Sequence, residues 1–142
     1  MIKTITEIVM QLRPRFFRAF NIPHVIIVFP LPLDAAVNNN LGIDSYNLDT
    51  FMCKRTGVRQ SLLSHGKNRD ICVLEGVMGY YDGIAGISKE ASAWDVADTT
   101  DTPAILILDC KGVSVSAVAV VKGFLEYETE HIHIRGLLTV LL

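Results

Sequence analysis

The chain has 142 residues, half of them hydrophobic and a fifth charged, with a formal net charge of −2. That is one domain's length, with enough apolar side chain for a core of its own and too much for a disordered segment. The near-balanced charge leaves no nucleic-acid footprint, and Cys53, Cys72 and Cys110, far apart and without a CxxC pair, read as reduced thiols of a cytoplasmic protein rather than a disulfide framework.

In chain order, Thr4 to about Phe20 is expected to be helical, because Ile5, Ile8, Val9, Leu12 and Phe16 recur at helical spacing. Lys3, Glu7 and Gln11 interrupt any secretory signal, and Arg13, Arg15 and Arg18 read as the solvated end of that helix. Pro23 closes it, and the continuous apolar run Val25 to Phe29 predicts a buried strand. Neither HVIIVFPLPL nor IRGLLTVLL approaches the roughly 20 residues that cross a bilayer, so no membrane partner is expected. Pro30 to Asn40, with two prolines and three asparagines in a row, reads as loop.

A second helix is expected over Gly57 to Ser64, ending near Gly66, and a strand over Asp70 to Leu74. Gly76 to Ser88 reads as loop, Lys89 to Thr99 as a helix packed by Trp94, and Ala104 to Asp109 as another buried strand. Ser114 to Tyr127 is expected to be a helix capped by Ser114 or Ser116, with Ala117, Val120, Val121 and Phe124 on one face. His133 to about Leu138 completes the list as a strand. No repeat or linker divides the chain, so residues 1–142 read as a single domain.

Continuous apolar strands alternating with helices predict an α/β fold, a mostly parallel sheet of about four strands flanked by helices. Open sheets of this kind bind ligands beyond the carboxyl ends of their strands. VLEGVMGYYDG places Glu75 directly after one strand and Asp82 seven residues on, while Asp109 ends another. A carboxylate there suits Mg²⁺ against a nucleotide, since magnesium takes one or two carboxylates and fills its shell with water and phosphate oxygens. The glycines would let backbone N–H groups approach an anion. An Asp-Gly turn that only supplies positive φ accounts for the same letters, and both readings stand. The H-x-H of His131 and His133 has no Cys or carboxylate at metal-site spacing beside it, so these histidines read as packed or solvated. GVSVS after AILILDCK offers either helix-terminal amides to a phosphate or ordinary capping. A complete GxxxxGK[ST] loop is absent from the chain.

NLDTFM, VLEGVMGYYDG and SAWDVADTTDTPAILILDCKGVSVSAVAVVKGF together resemble the cobyrinic acid a,c-diamide synthases of cobalamin biosynthesis, from about Gly42 to Gly136. The resemblance implies a P-loop-type α/β domain, related to dethiobiotin synthetase-like proteins, that binds ATP, Mg²⁺ and the corrin substrate cobyrinic acid. It implies a ligase that activates two peripheral carboxylates as phosphate esters, with ammonia delivered from glutamine by a separate glutaminase domain. Carried over residue by residue, it makes Glu75 and Asp82 catalytic and assigns Lys3, Thr4, Gly76, Gly79 and Asp109 to nucleotide binding. Thr4 and Glu75 become the metal-side residues. Lys3 and Thr4 align with the P-loop's lysine and threonine, but the family's preceding glycines have no counterpart. Residues 12–41 have the length of the family's next segment without its content, as a shifted reading frame would produce. The family's strand-end asparagine and its glutaminase domain are likewise missing. A partial domain, inactive in isolation, is therefore expected; the alternative readings are a non-catalytic nucleotide-binding module and an inactive gene remnant.

Overall fold

The structure, a computed structural model, describes residues 24–28, 46–67, 69, 72–76, 79–131 and 133–140. Four strands form one sheet: β1 (His24–Val28), β2 (Cys72–Gly76), β3 (Ala104–Asp109) and β4 (Ile134–Val140). Among the described residues three helices lie between them: α1 (Thr50–Gly66), α2 (Ala93–Thr100) and α3 (Ser116–Glu126). The sheet order is β2-β1-β3-β4 and every pairing is parallel. This is the α/β architecture expected from the alternation of apolar strands and helices.

The core lies where α2 and the loop before it meet the sheet. Leu74, Tyr80, Ala97, Ala104, Leu106 and Ile134 are its buried members, with Leu48, Leu62, Trp94 and Phe124 packed against them. Along β3, Ala104 and Leu106 are buried while Ile105 and Ile107 on the other face are half-buried. A strand covered on both faces explains why AILIL shows no polar alternation. Each buried Leu or Ile contributes about 1.5–3 kcal/mol through its removal from water.

Several boundaries differ from the sequence reading, each for a local reason. Helix α1 begins at Thr50 rather than Gly57, because Asp49 caps it through Oδ1, which accepts from the amides of Phe51 (2.7 Å) and Met52 (3.1 Å). Its first part carries exposed Phe51 and Met52 and a non-helical Lys54, so no apolar stripe announces it. Helix α2 starts at Ala93, not Lys89, because Ala91 has φ of 63° and Ser92 then caps the helix by accepting from the Asp95 amide. The cap of α3 is Val115 with no side-chain bond, which overturns the expected serine cap. On that helix Ala117, Val121 and Phe124 are half-buried, but Val120 is exposed. Strand β2 extends through Glu75 and Gly76, so both lie inside the strand and not beyond it. The expected helix over Thr4 to Phe20 and the loop over Pro30 to Asn40 fall outside the described residues. Among the described residues no helix is long and apolar enough to cross a membrane. The three cysteines are free.

Candidate functional site

The acid-and-glycine loop follows β2 and is held by two tyrosines. Tyr80 is 2% exposed, and its carbonyl accepts from the Trp94 amide at 2.9 Å. Tyr81 donates its hydroxyl to the Phe124 carbonyl at 2.9 Å, tying the loop to α3. Asp82 follows as an exposed residue, its amide bonded to the Gly79 carbonyl at 3.0 Å. The two anchors therefore fix where the Asp82 carboxylate emerges.

Gly79 and Gly83 serve close approach rather than positive φ. A Cβ on Gly79 would overlap the Asp82 carboxylate, which lies across that position. A Cβ on Gly83 would lie 2.5 Å from the Ser88 carbonyl oxygen and overlap that of Glu90. Gly83 has φ of −110°, so the reading of Asp-Gly as a positive-φ turn is set aside. Among the described glycines, the left-handed ones are Gly86 and, after β3, Gly112; Ala85 beside Gly86 is left-handed too, with φ of 57°. The loop's amides are also committed internally: Gly83 donates to Ser88, Ile84 to Glu90 and Gly86 to Gly83. Those amides, with that of Asp82, are closed to any phosphate.

Glu75 is exposed in β2, level with Ile27 of β1, which is level with Ile105 of β3. Asp109 lies four residues beyond Ile105, about 13 Å farther along the sheet at roughly 3.3 Å per residue. The strands are thus staggered, and Glu75 and Asp109 stand in separate places rather than around one small ion. Asp109 is exposed and accepts from the Lys111 amide at 2.8 Å, closing the turn that Gly112 continues. Gly76 is buried at the end of β2. Lys3 and Thr4 lie outside the described residues.

A second polar centre was not anticipated from the sequence. Asp95 of α2 is 4% exposed and accepts from the Thr50 hydroxyl (2.6 Å), Arg55 Nη2 (2.6 Å) and the Ala91 amide (3.0 Å). Arg55 also reaches Asp98 Oδ2 through Nη1 at 2.9 Å. The guanidinium thereby bridges two carboxylates one helical turn apart, and its hydrogen bond with Asp95 leads the effects that raise its pKa. Thr50, Arg55, Trp94, Asp95 and exposed Phe51 are among the residues that line an open groove of about 590 Å³. Lys89 sits over the Trp94 ring, 4.1 Å from its centroid, and pairs with Glu128. The available signal was DVAD, whose i, i+3 spacing puts Asp95 and Asp98 on one helix face.

The histidines, too, have company. His131 Nδ1 is 2.9 Å and His133 Nε2 3.4 Å from Asp98 Oδ1, so a carboxylate does accompany the H-x-H, from 33 residues away. Burial disfavours ionisation of Asp98, but hydrogen bonds with His133 and Arg55 and the charges of Arg55 and His131 outweigh it. Its carboxyl is held below the usual range.

No protein-family model matches the chain, and no solved structure does. Curated sequences do. The chain is 39% identical over 94 residues to the cobyrinate a,c-diamide synthase of Methanococcus maripaludis, covering 66% of the chain and 21% of that protein. It is 40% identical over 97 residues to the enzyme of that name from Saccharolobus solfataricus, covering 68% of the chain and 21% of the relative. The synthase of Listeria innocua is 42% identical over 90 residues, 63% of the chain and 20% of that protein. The chain thus spans about a fifth of the length of these relatives, which come from archaea and bacteria alike. Over about two thirds of its own length, the chain is similar to cobyrinate a,c-diamide synthases, at 36–42% identity.

Proposed function

We propose that the chain contributes part of the ligase half of a cobyrinate a,c-diamide synthase. The reaction is ATP-dependent, glutamine-hydrolysing amidation of the a and c carboxylates of cobyrinic acid in cobalamin biosynthesis. The observation that carries this reading is identity of 36–42% to synthases of that name. In such a synthase glutamine would supply the ammonia through a separate glutaminase domain.

In this reading Glu75 assists metal and phosphate placement, and Asp82 binds or orients the corrin carboxylate and its activated form. Gly79 leaves the space that Asp82's carboxylate occupies, and Gly76 and Asp109 belong to the nucleotide side. Lys3 and Thr4 are assigned there too, outside the described residues. The donor chemistry fits magnesium: Glu75, Asp82 and Asp109 are exposed oxygen donors, and Mg²⁺ needs only one or two carboxylates when phosphate and water complete its shell. Bound magnesium would supply charge neutralisation to a transferring phosphoryl group. The chain's own share is placement of the acceptor carboxylate beside the phosphate, which is mainly an orientation effect.

One observation favours the non-catalytic alternatives: the amides of Asp82, Gly83, Ile84 and Gly86 are all bonded within the loop, so phosphate affinity must come from elsewhere. Titration calorimetry of the purified chain with Mg·ATP, beside Glu75→Gln, tests the proposal. Micromolar affinity that weakens in the variant is the expected result. No detectable heat at millimolar nucleotide would leave family ancestry without a nucleotide site.

A further inference from the structure

Asp98, His131 and His133 lie where β3 and β4 begin, away from Asp109 at the far end of β3: the Ala104 amide donates to the His133 carbonyl at 2.8 Å. One ligand atom from each of the three residues falls within 4.8 Å of the other two. Two ligands about 2.0–2.1 Å from one metal stand roughly 3–4 Å apart, so a side-chain adjustment of about 1 Å gathers the three atoms around a single ion.

We propose that Asp98, His131 and His133 form a binding site for one divalent transition ion of the zinc class. Two imidazoles and one carboxylate are borderline donors that suit Zn²⁺ and its first-row neighbours, not magnesium or calcium. Three protein ligands leave a position open to solvent, and His131 is 59% exposed, so an ion has a path in. Charge balance supports the same assignment. Arg55 is matched by buried Asp95 at 2.6 Å, which leaves the charge of Asp98 for a second cation. Arg55 holds Oδ2 of Asp98 while both imidazoles approach Oδ1, an outer contact that orients the ligating carboxylate. Trp94 Nε1 donates to the His131 carbonyl at 3.4 Å and helps to fix the backbone of the exposed ligand. The ion would tie the last turn of α2 to the segment entering β4, replacing imidazole-carboxylate hydrogen bonds with metal bonds.

The test is calorimetry and thermal unfolding of the full chain with zinc chloride, in parallel with His131→Gln and with a Cys53→Ser, Cys72→Ser, Cys110→Ser variant. The expected result is one zinc per chain and a raised Tm, both retained when the thiols are removed and unaffected by millimolar Mg²⁺. His131→Gln, altering an exposed side chain, should keep its fold and lose more than the roughly 10–100-fold typical of an outer-contact change. Cobalt(II) absorption provides a second readout, with a visible band that His131→Gln shifts or abolishes. No zinc uptake, or uptake that follows the cysteines and ignores His131, would overturn the site.

Discussion

At the scale of single residues, Gly79 and Gly83 separate a structural from a functional role within one loop. At Gly83 the atoms a Cβ would strike are backbone carbonyls of Ser88 and Glu90, which cannot move without breaking the Gly83–Ser88 bond at 2.9 Å. Gly83→Ala should therefore cost about 1–3 kcal/mol, the range for forcing an extra carbon into a packed place. At Gly79 the obstacle is the carboxylate end of Asp82, an exposed side chain free to rotate away. Gly79→Ala should leave the urea midpoint within about 0.5 kcal/mol of the parent. If Asp82 binds ligand as proposed, the effect of this variant falls on ligand affinity through the displaced carboxylate. Denaturation curves for the two variants check the contrast; equal costs would mean that the Asp82 carboxylate is held as firmly as backbone.

Among elements, the contact between α1 and α2 depends on the buried carboxylate of Asp95. It accepts from Thr50 and Arg55 of one helix and from the amide of Ala91 just before the other. Asp95→Ala leaves the Thr50 hydroxyl and the Ala91 amide without this acceptor, while Arg55, half exposed, recovers part of its hydration. A loss of about 2–3 kcal/mol is expected, less for Asp95→Asn, which keeps an acceptor oxygen. Urea unfolding of both variants measures it, and no loss for Asp95→Ala would show that the two helices meet without it. This contact also marks how far the sequence is legible. AILILD reads directly as β3 because a doubly covered strand is uniformly apolar. The start of α1 does not, because its first turns expose Phe51 and Met52 and its boundary lies in the cap at Asp49. Glu75, Asp82 and Asp109 are readable as acids near strand ends, but the stagger that separates Glu75 from Asp109 is set by pairing with β1. Asp98 with His131 and His133 is a tertiary coincidence of segments distant in sequence, and no local pattern encodes it.

For the whole molecule, β1 decides whether there is one sheet or two pieces. It joins β2 on one side and β3 on the other, and Ile26 is in register with both Leu74 and Ala104. Its sequence, HVIIV, is an apolar run, as a strand flanked on both sides requires. A proline in a strand flanked on both sides removes a ladder donor and sets the ring against a neighbour. Ile26→Pro should therefore cost about 3 kcal/mol or more, a large fraction of the 5–15 kcal/mol typical of a domain. Circular dichroism and urea titration of Ile26→Pro would then show loss of the cooperative transition. A variant that unfolds at the parent's midpoint would mean that β2 and the β3–β4 pair are stable without β1. The Glu75 side and the Asp109 side of the sheet would then have no fixed relation, and nucleotide affinity would have to be built on one of them alone.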